Sequence, residues 1–339
     1  MTPVNANPSK MAATRQRITL PLARGFVTIV LSSVALLFVC LFVAPSSVST
    51  GALSGSLPFA AILAIAGLGQ MLVVQQGGFD LSVAGGVSLA VVISTHVPAG
   101  NNAELLPAVL MAAGCAIAAG CANGLLVGFL RLNAIVATIG MNALLYGAVF
   151  AVSGGVPRTT TSLLARIAGG SILGIDNTVW FAFAILLIVA FVMKKTVAGR
   201  RFEAIGANPR AARAVGLRVR QHQMMAYVCA QLLYCTAGIL LAGVTSQPTA
   251  YQGDSLLLPS VAVVVLGSTS LLGGRGFPIS TVIAAFFLNQ LSQFALAVGV
   301  PYSAQTIIQA AALGFGIAVY SLRMPSVIRT LQISSKVEE

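Results

Sequence analysis

The chain has 339 residues, of which 57% are hydrophobic and only 8% are charged. An ordinary soluble domain carries about 25% charged residues, so this composition excludes a soluble protein and indicates a chain whose surface faces lipid. The net charge of +12 does not indicate a nucleic-acid partner, because the basic residues lie in short segments between apolar runs, where they set membrane orientation.

Breaks at proline, glycine and charged residues delimit ten apolar segments near the length of about 20 residues that a membrane-spanning helix needs. In chain order they are 25–44, 57–76, 79–97, 107–130, 134–153, 179–193, 223–244, 257–272, 277–298 and 303–322. The first segment is longer than the apolar core of about 7–15 residues in a cleaved signal peptide, so we expect it to be retained. The sequence predicts an all-α fold with one transmembrane domain, 25–322, between tails 1–24 and 323–339.

The basic residues predict the orientation. If the N-terminus is cytoplasmic and all ten helices cross, every one of the 19 basic residues except Arg158 and Arg166 lies in an inner segment. This bias favours an even number of crossings with both termini in the cytoplasm. Helices two to five and seven to ten would then run in opposite directions and could form an inverted repeat.

The longest inner segment, 194–222, predicts a docking element. Asn208 suits a helix N-cap, Pro209 the first helical position and Gly216 the residue after the end, which predicts a short helix over 209–215 on the cytoplasmic face. Its alanines offer a surface for close approach by another protein, while a basic loop that binds anionic lipid headgroups is the alternative. The docking residues that we assign are Glu203, Gly206, Asn208, Arg210, Ala211, Ala212, Arg213 and Gly216.

Two glycine-rich turns interrupt the apolar runs. Their key residues are Gly77, Gly78, Asp80 and Ser82 in the first and Gly273, Gly274, Arg275 and Gly276 in the second. Asp80 suits the first turn of the next helix as a structural cap, although a charge at membrane depth is also a functional candidate. Arg275 is expected either to pair with Asp80, to meet a cytoplasmic partner or to serve as a topology anchor.

Polar side chains inside the spans are few. We consider Gln70, Asn142, Asn289 and Gln290 as candidates to line a solute pathway, although amides also hold helices together. The sequence offers no catalytic constellation, no metal-ligand spacing and no phosphate-binding G-x-x-x-x-G-K-[ST] loop, so ATP and Mg²⁺ are expected on another chain. The near absence of acidic residues in the spans argues against an ion-coupled carrier, although backbone carbonyls can also bind sodium.

Four motifs in order resemble one family, the ribose/xylose-type permeases of ABC sugar importers, which are related to branched-chain amino-acid permeases. They are GGFDLSV at 77–83, LNAIVATIG at 132–140, the coupling segment with GRRFEAIGAN at 199–208 and AARAVG at 211–216, and VVLGSTSLLGGRG at 264–276. The chain departs from the family pattern at Arg210, where an acidic residue is common, and at Ala84, where glycine is usual. The first departure bears on whether the chain docks any ATPase of the family or only its own.

The resemblance implies a permease subunit, not an enzyme, in the bacterial inner membrane. It implies a homodimer or a heterodimer with a similar permease, a cytoplasmic ATP-binding subunit that holds ATP and Mg²⁺, and an extracytoplasmic solute-binding protein. A small hydrophilic solute, above all a monosaccharide, is the implied cargo, and the 209–215 helix would be the coupling helix. The alternative function is an ion-coupled secondary transporter or a channel.

Overall fold

The computed structural model describes residues 24–301 and, beyond them, only positions 304, 305, 307, 310, 311 and 314. The helices are α1 (Arg24–Val43), α2 (Thr50–Gln75), α3 (Val83–His96), α4 (Leu105–Gly124), α5 (Ala134–Ser153), α6 (Ser162–Gly169), α7 (Asn177–Lys195), α8 (Val197–Ala207), α9 (Pro209–Ala214), α10 (Val219–Thr245), α11 (Asp254–Leu266) and α12 (Pro278–Ala297). The strands β1 (Ser171–Ile172) and β2 (Ile175–Asp176) form a small antiparallel hairpin.

The first nine predicted spans each coincide with a helix. Seven helices of the described part are long and apolar enough to cross a membrane, which agrees with a multi-pass membrane protein. The tenth predicted span, 303–322, lies largely outside the described residues, and the tail 323–339 lies wholly outside them. Of the predicted tail 1–24, only the backbone of Arg24 is described.

Two of the predicted spans are shorter than expected. The predictions 79–97 and 257–272 correspond to α3, with 14 residues, and α11, with 13 residues. At 1.5 Å per residue these helices are roughly 20 Å long, against about 30 Å for the hydrocarbon core. The apolar runs continue into non-helical backbone at residues 76–82 and 267–277, so apolar length overestimated both helices.

The central pair is α2 and α10. Most of α2 is buried, and it packs against α10, α11 and α12, whereas α1 and α7 are largely exposed. Helix α10 also packs closely along α4. The approach at Gly120 of α4 is so close that a Cβ atom there would stand 2.9 Å from the Tyr227 carbonyl oxygen of α10. Close approach at small residues is a common way for helices to associate in lipid.

The order of α2, a non-helical segment and the short α3 recurs in α10, a non-helical segment and the short α11. The long helices have 26 and 27 residues, and the short ones have 14 and 13. This recurrence is consistent with the inverted repeat expected from the sequence. The repeat itself stays a prediction, because its tenth helix lies largely outside the described residues.

The connecting segments gather into two groups. At the end that carries the hairpin, Thr160 donates its backbone N–H to the Ser246 carbonyl (2.9 Å), and Asn102 donates to Ser162 (3.1 Å). At the end that carries α8 and α9, the 272–276 turn contacts the last residue of α2. The segments predicted to share a side of the membrane therefore meet each other.

The short helix predicted over 209–215 is present as α9, Pro209–Ala214; its docking role stays a prediction. Asn208 caps it, because its Oδ1 accepts hydrogen bonds from the backbone N–H groups of Arg210 (3.1 Å) and Ala211 (3.0 Å). Gly216 follows the helix with φ of 81°, a left-handed conformation that favours glycine. The preceding α8 was not predicted, because its glycines at both ends resemble loop residues.

The close contact between α4 and α10 can be tested with Gly120→Val. The new side chain meets backbone atoms of Tyr227 and Val228, so we expect a loss of about 1–3 kcal/mol in folding free energy, as overpacking commonly costs. Thermal unfolding in detergent, followed by fluorescence-detected size exclusion, measures it. Gly114→Val on the same helix is the control, since nothing lies within 4 Å of its Cβ position; equal effects of the two changes would contradict the packing account.

Candidate functional site

A buried polar cluster surrounds Asp80, which lies in the non-helical segment between α2 and α3. The Asp80 carboxylate accepts hydrogen bonds from the backbone N–H of Ser82 (3.0 Å), from the Ser82 hydroxyl and from Gln231 Nε2 (3.3 Å). Ser82 Oγ also accepts from Gln231 Nε2 (2.7 Å) and from Asn123 Nδ2 (2.9 Å). All four side chains are fully buried. The cluster therefore joins α4 and α10 to the start of α3.

Gln70 of α2 completes this cluster. With its amide nitrogen facing the acceptors, Gln70 donates to the Asp80 carbonyl (3.0 Å) and to the Tyr234 hydroxyl (2.7 Å), and its oxygen accepts from the Asp80 N–H (3.3 Å). The Gln70 amide thus supplies hydrogen-bond partners for the backbone N–H and carbonyl of Asp80, which have no helical partners in this non-helical segment. Gln70 holds the broken segment in place, and its side chain is fully buried.

Of the three alternatives for Arg275, the ion pair with Asp80 is not observed. Arg275 is exposed on the 272–276 turn, whereas Asp80 is buried. In the part of the chain that the structure describes, no basic side chain lies within ion-pairing distance of Asp80. Neutral donors supply the partners instead, and the bond from the Ser82 N–H places Asp80 in the turn just before α3, close to its predicted structural role.

The other pathway candidates also bind helices to one another. Asn142 of α5 accepts from the Gly85 N–H near the start of α3 (2.8 Å). Gln290 of α12 donates to the Ser47 carbonyl (3.2 Å), and Asn289 donates to the Ser56 carbonyl (3.3 Å). Of the four predicted residues, Asn289 also borders a cavity, so it is the one whose position suits contact with a solute.

This cavity has a volume of about 220 Å³ and lies between α2, α10, α11 and α12. Its polar side chains are Gln252, Ser255, Asn289 and Ser292, and its apolar lining is formed by Phe59, Ile62, Leu63, Leu241, Leu256, Pro259 and Leu288. A few polar groups in a mostly apolar lining are typical of small-molecule sites, which usually exceed about 300 Å³. The cavity can accommodate a small hydroxylated molecule only with a close fit.

A second contact region, here called the junction, joins α8 to the end of α2 and to the 272–276 turn. Gln75 and Gly274 form two hydrogen bonds: the Gly274 N–H donates to the Gln75 carbonyl (2.8 Å), and Gln75 Nε2 donates to the Gly274 carbonyl (2.9 Å). Gln76 Nε2 donates to the Phe202 carbonyl of α8 (2.9 Å). The backbone of Gly206 lies against both, because a Cβ there would overlap the Gln75 carbonyl and stand 2.8 Å from the Gly274 nitrogen.

The docking residues divide into two sets. Ala212 is buried against Ile205 and Val219 of the same chain, so the expectation that it offers a surface to a partner is wrong. Arg210, Ala211, Arg213 and Ala214 are exposed on α9, and Glu203 is half-buried on α8. In the described residues Glu203 makes no ion pair.

Sequence reasoning missed several residues of these sites. Gln75, Gln76, Asn123 and Gln231 were not assigned roles, although the two adjacent glutamines precede the glycines of the first turn. No group of three histidine, cysteine or acidic side chains in the described part of the chain is placed to hold a metal ion.

The cluster around Asp80 can be tested with Asp80→Asn. The amide offers one acceptor and one donor where Ser82 and Gln231 both donate, so one buried hydrogen bond is lost, at about 1–3 kcal/mol. We expect a lower unfolding temperature in detergent, and Asp176→Asn in the hairpin serves as control. Unchanged stability of Asp80→Asn would contradict a structural role for the cluster.

Comparison with known proteins identifies the family of this chain. Residues 52–317 match the family described as the branched-chain amino acid transport system permease component. The chain is 31% identical over 258 residues to the probable ABC transporter permease protein y4mJ of Sinorhizobium fredii, which covers 76% of this chain and 77% of that one. It is 36% identical over 235 residues to the autoinducer 2 import system permease protein LsrC of an Enterobacter species, covering 68% and 67%.

The chain is also 32% identical over 263 residues to the ribose import permease protein RbsC of Escherichia coli, covering 76% of this chain and 81% of that one. No solved structure matches the chain. The family match covers most of the chain and includes α2, the Asp80 segment, α8, α9 and the junction. The chain belongs to the permease-component family of ABC transport systems, as a multi-pass inner-membrane subunit that is not itself an enzyme.

Proposed function

We propose that this permease forms the membrane path for a monosaccharide or a similar small hydroxylated solute. The names of two relatives refer to import of ribose and of autoinducer 2. The cavity between α2, α11 and α12 supports this proposal, because the amides of Gln252 and Asn289 and the hydroxyls of Ser255 and Ser292 border it. Hydroxyl and amide groups can exchange hydrogen bonds with a sugar without any charged group.

The observation that carries the ATP-driven part of the proposal is the exposed, capped helix α9. It has six residues, too few to cross a membrane, and its exposed side chains are basic or small. On this proposal α9 seats in a separate ATP-binding subunit, which would hold ATP and Mg²⁺. A solute-binding protein would deliver the solute from the opposite side, and two permeases, identical or similar, would complete the complex.

The proposed orientation puts α8, α9 and both termini in the cytoplasm. The distribution of basic residues supports it, since Lys194, Lys195, Arg218 and Arg220 lie at the α8–α9 end, whereas Arg158 and Arg166 lie at the hairpin end. The inverted repeat of helices two to five and seven to ten would follow from ten crossings.

This orientation can be checked by cysteine labelling in intact cells. We expect a membrane-impermeant maleimide to label Thr159→Cys from outside and to leave Val215→Cys unlabelled, because both positions are exposed but lie at opposite ends. Permeabilised cells provide the control, in which both positions label. Labelling of Val215→Cys in intact cells would contradict the proposed orientation.

The docking role of α9 can be checked with Ala211→Trp. Ala211 is exposed, so a bulky side chain there leaves the chain's own packing intact but overpacks a fitted interface. Overpacking costs about 1–3 kcal/mol, which corresponds to a roughly 5- to 150-fold loss in affinity for the ATP-binding subunit. Co-purification and hydrolysis stimulated by the solute-binding protein measure it.

The matched control is Ala103→Trp, an exposed alanine at the hairpin end, which should leave co-purification with the ATP-binding subunit unchanged. If Ala211→Trp retains assembly and stimulated hydrolysis at the level of the parent chain, α9 does not dock the ATPase.

A further inference from the structure

The junction gives α8 contact with two transmembrane elements at once. Gln75 is the last residue of α2, and Gly274 lies in the connection from α11 to α12. Their two hydrogen bonds, of 2.8 Å and 2.9 Å, tie these elements to each other. Gly206 of α8 fills the remaining space so closely that no side chain fits there. A movement of α8 toward this point would therefore push against both α2 and the turn.

The junction is also connected to the exposed surface of α9. Ile205 of α8, adjacent to Gly206, packs with Ala212 of α9 and Val219 of α10 in one small hydrophobic cluster. Ile205 is fully buried, and Ala212 is only 5% exposed. A movement of α9 is thus passed to Ile205 by packed side chains, and from Ile205 to the adjacent Gly206 by the backbone of α8.

The helices that meet at the junction also form three walls of the cavity. Phe59, Ile62 and Leu63 of α2 border the cavity about three to four turns from Gln75 along the same helix. Ser255 and Pro259 border it from α11, and Leu288 and Asn289 from α12. Because α2 is continuous and free of proline from Phe59 to Gln75, we expect a shift at the junction to change the spacing of these walls.

We propose that Gln75 is a positioning residue that transmits movement of α8 and α9 to the cavity walls by holding α2 and the α11–α12 turn together. This inference rests on the proposed function, because it assumes that a partner moves α9. Gln75 itself contacts neither the solute cavity nor the exposed surface of α9. Its side chain is 1% exposed, and its amide nitrogen bonds to the Gly274 carbonyl.

The test measures the cavity directly in the complex with the ATP-binding subunit of the same import system. Ser255→Cys provides the reporter, because Ser255 borders the cavity and is accessible. The rate of its reaction with a small methanethiosulfonate reagent is compared with and without ATP and vanadate. The same protein without the reporter gives the background from the native cysteines.

In the parent protein we expect ATP and vanadate to change the labelling rate by about fivefold or more, the lower range of coupling between sites. Gln75→Met keeps the length of the side chain but removes the donor to Gly274. We expect it to reduce the change to less than about twofold while the ATP-binding subunit still co-purifies and hydrolyses ATP at its basal rate. Gln247→Met, at an exposed position of the hairpin end, should respond like the parent.

A second variant reaches the junction through different atoms. Gly206→Ala puts a methyl group against the Gln75 carbonyl and the Gly274 nitrogen, and it should also abolish the response to ATP. Gly55→Ala on α2 is its control, because nothing lies within 4 Å of that Cβ position.

The outcomes separate the two proposals. If the parent chain does not co-purify with the ATP-binding subunit, the proposed function fails and the junction proposal fails with it. If the parent responds and Gln75→Met responds equally, only the junction proposal is overturned, whatever Gly206→Ala does. Loss of co-purification in both variants also overturns it, since the junction would then serve assembly instead of transmission.

Discussion

The backbone-to-backbone contact between Gln75 and Gly274 is the constraint on which the arrangement of this permease depends. It brings the end of α2 and the α11–α12 turn together at one point, and the tight fit of Gly206 adds α8 to the same point. A contact of this kind needs glycine on the approaching helix and turn, because a Cβ on Gly206 or Gly274 would separate the backbones. The glycines of the 273–276 turn and of α8 are therefore one structural feature, although they lie about 70 residues apart in the sequence.

The second constraint is the cost of broken helices in a membrane. Non-helical backbone at membrane depth is tolerated only where protein groups supply the missing hydrogen bonds. Here Gln70 binds both backbone groups of Asp80, Thr138 accepts from the Leu81 N–H (3.0 Å), and Asn142 accepts from the Gly85 N–H (2.8 Å). These side chains come from α2 and α5, so the short α3 is positioned by its neighbours. The same requirement explains why the amides of Gln70 and Asn142 occur inside the spans.

The sequence predicted the helices well where apolar length alone determines them. It overestimated the lengths of α3 and α11, because apolar residues continue past each helix into backbone that tertiary contacts keep non-helical. The cap of α9 was predictable because Asn208, Pro209 and Gly216 act locally. The burial of Ala212 was not, because it depends on Ile205 and Val219 from two other helices.

The site shows the same division between local and distant information. The motif around Asp80 and the glycine turn were both visible in the sequence, but not their partners. Gln231 and Asn123 lie on helices that the sequence could not place beside Asp80, and the charge of Arg275 wrongly suggested an ion pair. Gln75 and Gln76 precede the first glycine turn, yet only the fold brings them to Gly274 and Phe202.

The central claim is that ATP hydrolysis on a separate subunit drives a hydroxylated solute through this chain. Its most direct test is uptake into proteoliposomes that contain this permease, its ATP-binding subunit and its solute-binding protein. The account predicts uptake of a radiolabelled sugar that this binding protein binds, and only when ATP is present on the side of the membrane that carries the ATP-binding subunit. Collapse of the proton and sodium gradients should not change the uptake. Uptake that persists without the ATP-binding subunit but stops when those gradients are collapsed would contradict it and identify an ion-coupled carrier.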